Sequence, residues 1–195
     1  MKNHYLILLI LLLILLSCNN ILGEGFLITV KSSTNLKNYL MQEYPNHNKA
    51  AEILGKLDDN INKFANHLLD KYPNDKRIIR LVNNLEDTKY EEAPHVNGES
   101  TYTLNKGELI KICLRKKKDG KPIHNLNTLM FVVIHELAHV MSISIGHNKE
   151  FMDNFRFLLR EADDIDIDYT PIDYSKENMT YCGVDVTHNP YYNNV

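Results

Sequence analysis

The chain has 195 residues, 44% of them hydrophobic, and a formal net charge of −3. That length holds one domain behind a leader, and that charge excludes a general electrostatic pull toward nucleic acid or anionic lipid. Three cysteines without any Cys-x-x-Cys spacing disfavour a structural zinc built on thiolates.

The leader comes first. Lys2 precedes an unbroken Leu/Ile run from Leu6 to Leu16. The run is short of the roughly twenty apolar residues of a membrane span and fits the hydrophobic region of a signal peptide, about 7–15 residues. An uncleaved signal anchor is the alternative, and Leu15-Leu16-Ser17-Cys18 has the form of a lipobox. All three predict a membrane-associated or secreted protein, with the membrane as partner through this segment. The boundaries that follow are 1–30 for the signal peptide or anchor, 31–46 for a polar linker and 47–195 for the globular domain.

Within that domain, Leu54, Leu57, Ile61, Phe64 and Leu68 recur at three and four, an amphipathic helix that ends before Pro73. Asn74 is positioned to cap a second helix with Ile78, Leu81, Val82 and Leu85 facing inward. Asp87 to Ser100, polar and containing Pro94 and Gly98, predicts a loop. Thr101–Leu104 and Glu108–Leu114 predict two strands around the turn signal Asn105-Lys106-Gly107. Lys116-Lys117-Lys118 runs into Asp119-Gly120 and predicts a solvated turn.

Asn125 and Asn127 are both able to cap the next helix. Its residues Leu126, Leu129, Met130, Val133, Leu137, Val140 and Met141 are apolar on most sides, the mark of a core helix. This helix carries His135-Glu136-Leu137-Ala138-His139. Histidines four apart lie one turn above the other on a single face and can hold one metal ion, with the glutamate beside the first as general base. Gly146 suits a tight turn, and Asn148 suits the cap of a further helix along Phe151, Phe155, Leu158 and Ala162. His147 therefore sits at the mouth of that helix and is the candidate third ligand, with Glu161 as runner-up and Glu150 and Asp153 behind it. A catalytic zinc takes three protein ligands and keeps one position open. Tyr169, Tyr174, Tyr181 and His188 follow these helices as candidates to stabilise an oxyanion, with nothing in the sequence to choose among them. Cys113 and Cys182 are able to pair or to remain reduced.

The run His135-Glu136-Leu137-Ala138-His139, a short loop, then His147-x-x-x-Phe151 resembles the WLM and SprT-like zincins. The stretches Tyr102–Gly107, Cys113–Arg115, Leu126–Met130 and Tyr181-Cys182-Gly183 look like those of uncharacterised WLM-like proteins of large DNA viruses. The resemblance spans roughly Glu99 to Pro190. It implies Zn2+ held by His135, His139 and His147, and Glu136 as the general base of peptide hydrolysis. It also implies an α+β zincin-like fold: N-terminal helices, a small antiparallel sheet, the metal helix and a following helix. A protein or peptide substrate would add as a strand to the open sheet edge, with main-chain pairing rather than a deep side-chain pocket setting affinity. Two alternatives stand beside the zinc metalloprotease. One is a zinc-binding docking protein without proteolysis. The other is a WLM/SprT-type protease of DNA-bound proteins, against which the charge predicts no nucleic-acid partner.

Overall fold

The computed structural model describes residues 26–94, 101–116 and 122–192. Among these, β1 (Leu27–Lys31) and β2 (Asn38–Gln42) form an antiparallel pair. Helices α1 (His47–Lys71) and α2 (Lys76–Leu85) follow, then β3 (Lys89–Glu92), β4 (Tyr102–Leu104) and β5 (Leu109–Ile112). The chain continues through α3 (Leu126–Met141) and α4 (Lys149–Asp163) to the hairpin β6 (Met179–Tyr181) and β7 (Val184–Val186). The architecture is α+β, as expected. The main sheet is mixed rather than antiparallel: its order is β1-β2-β3-β5-β4, with β3 parallel to both β2 and β5.

The helices form where the apolar spacing requires cover. The stripe Leu54, Leu57, Ile61, Phe64 and Leu68 of α1 is fully buried, and α1 packs on β1, β2, β3, α2 and α3. α2 buries Ile78, Leu81 and Leu85, and its cap is Asp75 rather than Asn74, accepting from Arg77 N at 2.8 Å. α3 is buried on nearly every side, so it is the central element of the core, with α2 and α4 against it.

Three expectations are corrected. Residues 31–46 are not a linker and the leader does not extend to residue 30, because β1 and β2 both lie in the sheet and β2 is tied to it by a buried carboxylate. Glu92 Oε2 accepts from Gln42 N at 2.8 Å, and its Oε1 meets Arg115 Nε at 2.5 Å. Arg115 also donates to Asn46, the residue that opens α1, and stacks 4.8 Å from the Tyr44 ring. Both ions are 1% exposed, so removing either one alone would strand the other as an uncompensated buried charge. Second, Asp87–Ser100 is not all loop, since β3 occupies its start. Third, the membrane localisation, the membrane partner and the transmembrane helix are not upheld: among the described residues no helix is long and apolar enough to cross a membrane. The Leu6–Leu16 run and the signal peptide expected there lie outside the described residues, as does the basic cluster from 117 onward.

Cys113 and Cys182 form a disulfide. It joins the chain just past β5 to the turn of the β6–β7 hairpin, whose central residues Cys182 and Gly183 both have positive φ (48° and 86°), as a tight hairpin turn requires. Tyr181 OH adds a bond to Cys113 O at 2.8 Å.

Candidate metal centre

α3 starts where Asn125 accepts from Thr128 N at 2.8 Å. Its third and fourth turns present His135 and His139, with Nε2 atoms 3.2 Å apart. The helix is closed at its C-terminus by Lys106, from the β4–β5 turn, which donates to the carbonyls of His139, Ser142 and Ser144. A cation on those unpaired carbonyls also complements the helix dipole. Gly107 beside it has a φ of 120°, and a Cβ there would meet Asn84 O of α2 at 2.9 Å, so this turn needs glycine to fit against α2.

The connection to α4 then doubles back. Glu150 receives the backbone N–H of Ile143 (2.8 Å) and of Ser144 (3.0 Å) and the Ser144 hydroxyl. These bonds hold its carboxyl down to about 2. Gly146 turns the chain at a φ of 84°, and Asn148 caps α4 by accepting from Phe151 N at 3.1 Å. The loop delivers His147 so that its Nε2 lies 3.0 Å from that of His135 and 3.1 Å from that of His139.

A tetrahedral zinc with bonds of about 2.0–2.1 Å needs ligand nitrogens about 3.3–3.4 Å apart. The three imidazoles fit that requirement closely. Three nitrogens facing one another at such distances are otherwise poor company: each neutral Nε2 is either a donor or an acceptor, so at least two of the three are alike and cannot bond to each other. Burial, with the other histidines adding to it, pushes His135 down to about 3, and burial likewise pushes His139 down to about 4. Both rings are thus neutral near pH 7, the form that ligates a metal.

Phe151 supports all three. Its ring centroid is 4.8 Å from that of His135, 4.2 Å from His139 and 4.7 Å from His147. The phenylalanine of the His-x-x-x-Phe segment is therefore the floor of the cluster. Glu136 is buried beside it, and its Oε2 accepts from Thr103 Oγ1 of β4 at 2.7 Å. Burial pushes its carboxyl up to about 7 despite that bond.

The other candidate ligands are engaged elsewhere. Glu161 accepts from Lys71 Nζ and Tyr72 OH, both at 2.7 Å, and Asp153 pairs with Lys149 and Arg156. Tyr169, Tyr174 and Tyr181 are buried; of these Tyr181 lines the cavity that holds Glu136, as does exposed His188. Thr103 and Lys106 escaped the sequence because their partners lie across the sheet–helix boundary.

Two clefts meet at His135, Glu136 and His147. One, of about 520 Å³, is lined by Tyr102, Thr103, Lys106 and Ile145. The other, of about 390 Å³, is walled by apolar residues of α3, α4 and β7.

Comparison with known proteins matches residues 33–193 to the WLM domain. The uncharacterised protein R325 of Acanthamoeba polyphaga mimivirus is 37% identical over 167 residues, 80% of each chain. The uncharacterised protein 042R of Invertebrate iridescent virus 3 is 48% identical over 56 residues, 29% of this chain and 34% of that one. Among solved structures, Wss1 of Saccharomyces cerevisiae aligns at 20% identity with a TM-score of 0.48, covering 63% of this chain and 83% of that one. With a domain match across most of its length and a relative this similar over four-fifths of both chains, the protein belongs to the WLM-domain family.

Proposed function

We propose that the protein is a zinc metallopeptidase, with His135, His139 and His147 as ligands and Glu136 as general base. The observation that carries this function is the mutual approach of three imidazole Nε2 atoms to 3.0–3.2 Å beside a buried carboxylate. When bound there, zinc supplies a Lewis acid that polarises a carbonyl and acidifies water. The chain supplies the rest. Glu136 is held by Thr103 through Oε2, which leaves Oε1 to accept a proton from water and hand it to the leaving amine. β4 is an edge strand of the sheet, so an extended peptide has backbone groups to pair with alongside the metal ligands. The intact base favours hydrolysis over mere docking, because docking has no use for it.

The test is zinc per chain, by elemental mass spectrometry, in the parent and in His147→Ala. The parent should carry about one zinc and the variant far less. A folded parent without zinc would sink the proposal. The loop should matter as well. Glu150→Ala frees Ile143 and Ser144 and should weaken zinc binding by about 10–100-fold, the usual cost of losing an outer support. Competition against a chelating dye measures this, and an unchanged affinity would reduce Glu150 to a surface group.

A further inference from the structure

Resting on the metallopeptidase function proposed above, we infer that the 390 Å³ cavity takes a bulky apolar side chain of the substrate, from a residue next to the scissile bond. Its walls are Phe131 and Val132 of α3, Phe151, Met152 and Phe155 of α4, and Val186 of β7. Its mouth is formed by His135, Glu136 and His147, which also line the polar cleft along β4. A peptide lying on β4 therefore crosses the metal ligands and meets this cavity on their far side. The volume is in the range of clefts that enclose organic groups, about 300–1,000 Å³. The charged or titratable residues that line it beyond the mouth are Asp185, His188 and Tyr181; the first two are exposed, Asp185 accepting from Thr180 Oγ1 within its own hairpin, and buried Tyr181 spends its hydroxyl proton on Cys113 O. An inserted charge would find no buried partner, whereas an apolar group would leave water for carbon on several sides.

The outer wall is built to stay in place. The β6–β7 hairpin pairs only with itself among the described strands, yet it is fastened by the Cys113–Cys182 disulfide and by the Tyr181 bond to Cys113 O. A preformed apolar pocket discriminates by size, at about 10–200-fold for a methylene's difference. Selectivity then comes from a side chain as well as from main-chain pairing, contrary to the expectation from sequence.

The experiment compares hydroxamates binding to the zinc-loaded full chain by calorimetry, so that it reads binding and not turnover. Acetohydroxamate probes the metal centre alone, and hydroxamates carrying an isobutyl or benzyl arm probe the cavity too. The arm should improve affinity at least about tenfold. Val186→Trp, which fills the cavity, should erase that gain and leave acetohydroxamate binding unchanged. Met152→Trp fills it from the opposite wall and carries the same test if Val186→Trp does not fold. No gain from either arm in the parent, or a gain that survives in a folded, filled variant, overturns the inference while the metal centre stands. Failure of acetohydroxamate to bind a chain that carries zinc overturns the metal-centre function and the cavity's role with it.

Discussion

Glu136→Gln should lower peptide hydrolysis by about 10²–10⁴-fold, the contribution of a placed general base, with zinc still near one per chain. Glutamine has the same shape, and its amide oxygen can still accept from Thr103 Oγ1, which now fixes the carboxylate at 2.7 Å. The variant changes only the ability to take a proton. Glu136 touches none of the three nitrogens that define the metal site, so metal content should not follow activity down. Hydrolysis of an unfolded protein substrate, measured beside elemental analysis, separates the outcomes. Full activity would remove Glu136 from the mechanism. Joint loss of zinc and activity would make it a support of the site instead.

Phe151→Ala should cost about 3–5 kcal/mol of stability and weaken zinc binding together. The side chain is 1% exposed, and its ring contacts three imidazoles and lies 5.7 Å from Phe155. Truncation leaves a void under the histidines, and each ring gains freedom that metal binding must then remove. Urea unfolding of the metal-free protein reads the first effect, and competition with a chelator reads the second. Phe151→Leu, which keeps most of the volume, should show less of both. Lost stability with unchanged zinc affinity would make Phe151 a core residue and nothing more.

Much of the site was legible because its chemistry is local. His135 and His139 are related by one helical turn, and Gly146, His147 and Asn148 spell a turn and a cap within three residues. The α1 and α3 stripes were legible for the same reason. What failed depended on partners distant in sequence. β3 reads Lys-Tyr-Glu-Glu, a polar tetrapeptide that looks like loop until Arg115 neutralises Glu92 from the far side of β5. β2 reads as linker because its parallel neighbour β3 lies beyond two helices and its hairpin partner β1 falls almost wholly within the 1–30 leader bounds. The cavity was invisible because its walls come from α3, α4 and β7, none of which shows a concavity by itself.

The disulfide has a topological consequence. Cys113 and Cys182 are 69 positions apart, and α3, α4 and all three histidines fall between them. Backbone and sulfurs thus form one closed ring with the metal ligands threaded along it. A single nick anywhere on that ring opens it without dividing the molecule. The nicked protein would run as one band without reductant and as two with it, with its ligand set still tethered.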